Sequence, residues 1–352
     1  MLSQREPGSL GLGLSLPPSR MLRITLSTGS TSRTWAHQSA ILLTEGASTN
    51  ISLMIREMIR GQNWKLAEIT DSVPEAFAKI AEGSATLLIV SESEKLPAPW
   101  VVKAQLQHKI ALLTPTIYLL APPSGLHDAA TIGQVMAHAA TVKPISPERM
   151  LPAFIKLVAT WSRGPFAQLR QAAMQLTMKN ERTALEICGK LATNPQVSPL
   201  VCACMALFLT ENGDYRAAEK ILLSGLKLAP KNYGIILALV AFYMRAAMPN
   251  MALRLLTEIK ANSHLTGQKL IYTDLIMANL MLNRVADAVP ILEEMIRRDY
   301  LPDVAKSFLA RILFTEGMRT DFDRLMRGNN AIYLRFLRTW APERGAERMK
   351  AG

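Results

Sequence analysis

The pattern of hydrophobic and polar positions changes near residue 164. Upstream, short apolar runs alternate with longer stretches whose apolar residues recur at helical spacing; downstream, only the helical spacing remains. The pattern predicts strands over 40–43, 66–69, 86–90, 116–120 and 141–142, and helices over 49–62, 74–82, 100–113, 129–138 and 147–161. Strands that alternate with helices in this way predict an α/β domain with a doubly wound parallel sheet, followed by an all-α region.

Composition and pattern together predict five segments along the chain. Residues 1–38 are rich in Ser, Thr, Gly and Pro and are predicted to be a disordered leader, with Met21 as an alternative start. The other segments are an α/β domain over 39–163, a linker helix over 164–179, helical repeats over 180–322, and a basic cap and tail over 323–352. The longest apolar run, Tyr233–Met244, is shorter than the roughly 20 residues of a spanning helix, so no membrane span is expected.

The helical half contains an internal repeat. Small residues recur 34, 34 and 36 residues apart, and an apolar residue follows each of them four positions later; these small residues are Ala184, Ala218, Ala252 and Ala288. The clearest unit, residues 205–230, has Gly213-Asp214-Tyr215 between its two helices and ends at Pro230. These features resemble the tetratricopeptide repeat, a helix-turn-helix unit of about 34 residues that stacks into a solenoid. The resemblance covers about residues 166–320.

The resemblance to tetratricopeptide repeats implies a partner-binding groove. In that family the first helix of each pair lines a face on which a protein or peptide segment typically binds. The candidate groove residues are Thr210, Asn212, Tyr243, Arg245, Thr273, Asp274, Met277 and Asn279. The alternative for each of them is an ordinary solvated helix face, because only a few residues of an interface carry most of its binding energy.

The α/β half resembles the receiver domain of two-component response regulators, which has a flavodoxin-like fold. The resemblance rests on the order of the elements, on Thr114-Pro115 before the fourth predicted strand and on Lys143-Pro144 after the fifth. In that family the lysine pairs with a phosphoryl group carried by an aspartate at the end of the third strand. Lys143 is the candidate for this role, and its alternative is a solvated lysine beside the strand ends.

The other positions of the phosphoacceptor pocket depart from the receiver family. The family holds Mg²⁺ with two adjacent acids after the first strand, where this chain has Glu45-Gly46. The phosphoacceptor position is Ser91, followed by Glu92, and the phosphorylation-sensing Ser or Thr of the fourth strand is Leu120. A serine hydroxyl cannot form an acyl phosphate, and nothing nearby in the sequence activates it as a nucleophile. The resemblance therefore implies a degenerate receiver with neither metal nor cofactor.

Charge and cysteine content bear on location and partners. The formal net charge is +12, and three cysteines are too few for a disulfide scaffold, which favours a reducing, cytoplasmic setting. Cys202 and Cys204 lie in an apolar helix and are predicted to be buried. From Arg324 onward, seven cationic side chains stand against two acidic ones, and the candidate basic surface is Arg324, Arg327, Arg335 and Arg338. This segment is interpreted as a cap for the repeats, with phosphate or acidic-protein binding as the alternative.

These features predict a bacterial signalling adaptor without enzymatic activity. The degenerate receiver would dock or form a homodimer, and the repeats would hold a protein or peptide partner. Two alternatives stay open: a phosphorylatable response regulator of a phosphorelay, and a nucleic-acid-associated regulator that uses the basic C-terminal segment. Nucleic acid is not the expected partner, because the chain has no recognisable helix-turn-helix or RNA-stacking motif.

Overall fold

The computed structural model describes residues 38–46, 49–122, 138–262 and 265–327. Its first half contains a parallel sheet with the strand order β2-β1-β3-β4-β5. The strands are β1 Ser39–Thr44, β2 Lys65–Thr70, β3 Leu87–Ser91, β4 Thr116–Leu120 and β5 Ala139–Val142. The prediction of an α/β domain with a parallel sheet is confirmed.

Helices fill the rest of the described chain. Those of the sheet half are α1 Thr49–Arg60, α2 Val73–Ala81, α3 Ala98–Gln105, α4 Lys109–Leu112 and α5 Pro147–Trp161. Those that follow are α6 Gly164–Thr177, α7 Glu181–Leu191, α8 Ser198–Glu211, α9 Tyr215–Leu228, α10 Tyr233–Arg245, α11 Pro249–Asn262, α12 Leu265–Met281, α13 Val285–Arg297, α14 Pro302–Thr315 and α15 Arg319–Met326. The predicted all-α second half is thus confirmed over the described residues. The predicted leader (1–37) and all but the last residue of the predicted helix 129–138 lie outside them.

The register of the sheet brings the carboxyl ends of its strands to one edge. The central strands β1, β3 and β4 are buried throughout, as their almost wholly apolar sequences require. Thr44 of β1 lies beside Ser91 of β3, and Leu120 of β4 lies beside Val142 of β5. Residues that directly follow these strands therefore share one edge, where ligands of parallel sheets usually bind.

The predicted helix over 100–113 is wrong, because two short helices occupy this stretch. Helix α3 ends at Gln105, whose buried side chain turns inward and donates to the Thr116 hydroxyl at 2.8 Å. His108 then caps α4, its Nδ1 atom accepting a backbone N–H from the first turn at 3.2 Å. The break depends on these contacts with the sheet rather than on a glycine or proline at the break.

Helices α6 to α15 form successive hairpins with turns of one construction. Each turn holds a residue with positive φ, and these residues follow one another at intervals of 34, 34, 36 and 34: Lys179, Gly213, Ala247, Asn283 and Gly317. In every case the next N–H donates to the carbonyl five positions earlier at 2.8 Å, which satisfies a free carbonyl at the helix end. The repeat seen in the sequence is therefore a repeat of structure, and a further hairpin, α14–α15, follows those that contain the four alanines.

Small side chains allow neighbouring helices of the hairpins to approach closely. The four recurring alanines have no exposed surface. A Cβ atom added at Gly225 of α9 would lie 2.9 Å from Cys202 Cβ of α8, closer than ordinary packing permits. Cys202 and Cys204 are buried, which confirms the prediction for both. Over the described residues, no helix is both long enough and apolar enough to cross a bilayer.

Candidate functional site

The residues predicted to form a phosphoacceptor pocket lie along the carboxyl edge of the sheet. Glu45 follows β1, Ser91 ends β3, Leu120 ends β4 and Lys143 follows β5. Their common edge follows from the parallel register. Glu92, the residue after β3, belongs to the same predicted pocket. It is in direct contact with Lys143.

Glu92 joins three neighbouring segments at this edge. Its Oε1 atom accepts the N–H of Ala98 at 3.1 Å, and its Oε2 atom accepts the N–H of Ala121 at 2.8 Å. Lys143 Nζ donates to the Glu92 carbonyl oxygen at 2.7 Å. Hydrogen bonds to a charged group are stronger than neutral ones, and a carboxylate at the first turn of α3 also complements the helix dipole. The chain's own carboxylate therefore takes up backbone donors that an incoming anion would need.

At this edge Ser91 is buried and Glu45 is paired with a lysine. Ser91 is 2% exposed, which shields its hydroxyl from a phosphodonor. Glu45 forms an ion pair with Lys95 at 2.8 Å, and this hydrogen bond, aided by one from Ser93, lowers the pKa of Glu45. Partial burial lowers the pKa of Lys143, and the charge of Glu92 opposes that shift. Among the described residues, no three His, Cys, Asp or Glu side chains are grouped to hold a metal ion.

A second candidate site lies where the two halves of the molecule meet. We use "inner face" for the surface of α8, α10 and α12 that lies towards α3 and α4, together with Glu181 at the start of α7. Lys103 of α3 reaches this face, where its Nζ atom lies 2.8 Å from Asp274 Oδ1 and 2.5 Å from the Thr273 hydroxyl, both on α12. The side chains of Lys103 and Asp274 are only 17% and 22% exposed, so solvent screens this pair weakly.

Lys109 of α4 makes the matching contact at the other end of the inner face. Its Nζ atom lies 2.6 Å from Glu211 Oε2, 3.3 Å from Glu181 Oε1 and 4.0 Å from the centre of the Phe208 ring. Burial alone would lower the pKa of Lys109, but the two carboxylates more than offset burial and raise it. The ammonium group is thus held by two negative charges and an aromatic face.

The loop between α3 and α4 lies against the inner face between these two lysines. Leu106 is 3% exposed, and together with Gln107 it borders a cavity of about 220 Å³. The other lining residues belong to α3, α10 and α12: Lys103, Leu237, Ala241, Met244, Arg245 and Asp274. A narrower opening continues along α8 past Thr210. The inner face is therefore mostly apolar in its middle, where Arg245 also lines the cavity, and acidic at both ends.

The predicted groove residues fall into different environments. Thr273 and Asp274 hold Lys103, and Arg245 lines the cavity beside them. Met277, one turn further along α12 than Asp274, is 44% exposed. Asn212 is exposed at the end of α8. Thr273, Asp274 and Arg245 therefore contribute polar groups to the inner face, and Met277 and Asn212 are open to solvent.

The remaining predicted groove residues are buried and bonded within the helices. Thr210 donates its hydroxyl hydrogen to the Ala206 carbonyl at 2.7 Å, and Asn279 donates to the Leu275 carbonyl at 2.9 Å. Tyr243 is 2% exposed and donates to Glu219 of α9 at 2.8 Å; burial is the main cause that raises the pKa of Tyr243 to about 12. These side chains stabilise hairpins rather than present polar groups to a partner.

The candidate basic surface lies only partly within the described residues. Arg324 is exposed on α15 and forms an ion pair with Asp321 at 3.3 Å, and Arg327 is exposed just after that helix. Arg335 and Arg338 lie outside the described residues. The described part of this surface is thus an ordinary solvated helix end.

A larger cavity, of about 590 Å³, lies away from both sites. It is bordered by the end of α2, the starts of β3 and β4, and one side of α6. This position is the amino-terminal edge of the sheet, opposite Glu92 and Lys143. The cavity therefore belongs to the packing of α6 against the sheet half.

Sequence reasoning did not single out Lys103, Leu106 and Lys109. All three fall within the predicted helix over 100–113, and no role is predicted for any of them from the sequence. Their partners are distant in sequence: 170 or more residues separate Lys103 from the residues of α12 that it contacts. The available signal was the presence of charged residues in an otherwise apolar segment, which gives no partner.

Comparison with known proteins found no matching family, no similar curated protein and no similar solved structure. What this chain does is therefore inferred from its own residues.

Proposed function

We propose that this protein is a non-enzymatic adaptor of two-component-type signalling, acting in the cytoplasm, in which a tetratricopeptide-like solenoid binds a protein partner. The observation that carries the proposal is the repeated hairpin, with buried alanines and identical turns at intervals of about 34 residues. Such a row of helix pairs exposes one extended face made of the first helices, which suits binding to a protein segment. The partner surface includes Arg245 and Met277.

In this proposal the α/β half is a degenerate receiver that docks onto other parts of the assembly. The strand order β2-β1-β3-β4-β5 is that of flavodoxin-like sheets and supports the assignment. The internal bonding of Glu92 and Lys143 supports loss of phosphoryl transfer, because the edge is already satisfied by the chain itself. Homodimerisation through this half remains part of the proposal.

Affinity capture from the organism's own lysate tests the adaptor function. The tagged full chain is compared with Met277→Glu on α12, part of the proposed partner surface, and Met251→Glu on α11, two methionines of similar exposure, 44% and 39%. Each capture is run with and without nuclease. We expect a discrete protein partner to be retained by the wild type and by Met251→Glu and lost from Met277→Glu. Recovery that depends on nucleic acid, or that ignores both substitutions, contradicts the proposal.

The rival function, a phosphorylatable regulator, is tested by intact mass measurement. The full chain is incubated with a small phosphodonor and Mg²⁺. We expect no adduct of about 80 Da, the mass of one phosphoryl group, either as a labile acyl phosphate or as a stable serine ester. An adduct that disappears in Ser91→Ala would replace the degenerate receiver with an active one.

A further inference from the structure

The inner face is already occupied by a segment of the same chain. Lys103, Leu106 and Lys109 are spaced three residues apart, and each contacts or borders this face. We call residues 103–109 the docking segment. It behaves as a bound ligand would: charged ends in acidic sites and an apolar residue between them.

The chemistry of the inner face specifies the ligand more narrowly than the fold does. Asp274 and Thr273 form one site for an ammonium group, and Glu211, Glu181 and Phe208 form the other. Between these sites the surface is mostly apolar; it is contributed by Ala203, Ala206, Leu207, Leu237 and Ala241, with Thr210 and Arg245 among the other lining residues. An acidic or uncharged segment would leave Asp274, only 22% exposed, without a counter-charge, which is costly. Glu211 and Glu181 are 49% and 60% exposed, so they add charge preference rather than a large burial penalty.

The acidic residues of the inner face contrast with the positive net charge of the protein. The chain as a whole carries +12, so acidic positions that meet at one face are not a consequence of overall composition. Complementary charges at an interface mainly determine which partner is accepted and in which register. The two lysines of the docking segment show both the sign and the spacing that the face accepts.

We propose that the inner face binds a basic amphipathic segment of a protein partner with a Lys-x-x-Leu-x-x-Lys pattern, and that the docking segment occupies this face until such a partner displaces it. The inference rests on the proposed adaptor function and names its ligand class. It also makes the α/β half a competitor for the groove. A partner would gain access only in the fraction of molecules in which the docking segment has left.

The test uses a fluorescent peptide with the sequence of residues 98–113 and the full chain as receptor. The opened variant is Lys103→Glu/Lys109→Glu, which repels the docking segment from the inner face. The matched control is Lys79→Glu/Lys95→Glu, which makes the same charge change at two lysines that pair within the α/β half. A second peptide with both lysines replaced by alanine tests the charge requirement, and near-ultraviolet circular dichroism verifies folding.

We expect the opened variant to bind the peptide about tenfold more tightly than the wild type. This is the change expected if the docking segment has left the inner face in roughly a tenth of wild-type molecules and in nearly all molecules of the variant. The control should bind like the wild type, and the lysine-free peptide should not bind the opened variant. The affinity of a milder variant, Lys103→Ala/Lys109→Ala, should lie between those of the wild type and the opened variant. If the wild type and both opened variants bind the peptide equally, the docking segment does not block the inner face. If both peptides bind equally, the inner face does not require a basic ligand.

The lysate capture described above separates this inference from the adaptor function. If capture depends on Met277 while the peptide fails to bind every opened variant, the adaptor function stands and the basic ligand is wrong. If capture also ignores Met277, both are wrong.

Discussion

Glu92 shows how a single residue can join three segments at one edge of a sheet. It bridges the end of β4, the start of α3 and, through its carbonyl, Lys143 after β5. In an active receiver these strand ends would face a phosphoryl group. Here the N–H groups of Ala98 and Ala121 are hydrogen-bonded to a carboxylate of the same chain.

Removal of this carboxylate is expected to destabilise the α/β half. In Glu92→Ala, the N–H groups of Ala98 and Ala121 lose their charged acceptor, which costs about 2 kcal/mol of unfolding free energy. Denaturant unfolding followed by circular dichroism measures the change. Glu94→Ala, at an exposed position two residues later, is the control and should shift the midpoint little. Equal effects of both substitutions would contradict the structural role of Glu92.

His138 gives the molecule a predicted sensitivity to acid. The side chain is 6% exposed and lies 5.7 Å from the Tyr118 ring, and its Nδ1 atom has no hydrogen-bond partner among the described residues. Burial lowers the pKa of His138 to about 3. Below pH 6.5 the unfolded chain therefore takes up a proton that the folded chain refuses, and stability is lost as the pH falls from about 6.5 towards 3.

The pH dependence can be isolated by substitution. Between pH 7.5 and pH 5, His138 should cost the folded state about 2 kcal/mol. Burial also lowers the pKa of His108, with the same sign, so the comparison is between wild type and His138→Gln at each pH. The difference in unfolding free energy between the two proteins should change by this amount between pH 7.5 and pH 5. A constant gap would show that His138 titrates normally in the folded protein.

At the scale of elements, close approach of α8 and α9 depends on one glycine. A side chain at Gly225 would meet Cys202 Cβ at 2.9 Å and Ile235 Cδ1 at 3.1 Å. Gly225→Ala should therefore destabilise the helical half by about 1–3 kcal/mol, as overpacking of a core does. The helical Gly189 of α7 has nothing within 4 Å of an added Cβ. Gly189→Ala should instead raise the unfolding midpoint, since alanine favours helix by roughly 1 kcal/mol.

These two substitutions have opposite expected signs in neighbouring hairpins. Thermal unfolding monitored at a helical wavelength measures both in the full chain. If Gly225→Ala is neutral or stabilising, the packing of α9 against Cys202 is looser than described.

The sequence predicts elements well where apolar residues alone define them. The central strands β1, β3 and β4 and the helix 147–161 are visible as buried runs or helical stripes. The break between α3 and α4 is not visible, because it depends on Gln105 reaching the sheet. The turn at Gly213 is visible in the sequence, but those at Lys179 and Ala247 are not, because neither residue carries a turn signal.

The sequence predicts which residues share a sheet edge or a helix face, but not which residues they contact. Parallel strands must end at a common edge, so the group Glu45, Ser91 and Lys143 could be placed together from sequence. Whether Glu92 would satisfy the backbone or face solvent depends on loop geometry that no local pattern encodes. Likewise, Asp274 was recognised as a groove residue, but its partner Lys103 lies in the other half of the chain.

At the scale of the whole molecule, two parts with different folds are joined through charge. Lys103 and Lys109 extend from the sheet half to acidic residues of the helical half, with the apolar Leu106 between them. The contact is neither a bare salt bridge nor a purely apolar interface. Its partly buried ion pairs favour one register of the two halves, while their solvent-facing portion allows exchange with a competing cation.

The most direct test of this account is zero-length carbodiimide coupling of the dilute full chain, followed by peptide mass spectrometry. Such coupling joins an amine to a carboxylate only where they are in contact. We predict links between Lys103 and Asp274, 2.8 Å apart, and between Lys109 and Glu211, 2.6 Å apart. Lys95 and Glu45, 2.8 Å apart within the sheet half, provide the internal positive control.

A charge-preserving variant supplies the matched negative control. Lys103→Arg/Lys109→Arg keeps the ion pairs but removes the reactive amines, so both links between the halves should vanish while the Lys95–Glu45 link remains. Both links in the wild type, independent of protein concentration, would establish that the inner face holds the docking segment. Coupling of Lys95 to Glu45 without either link between the halves would contradict the account.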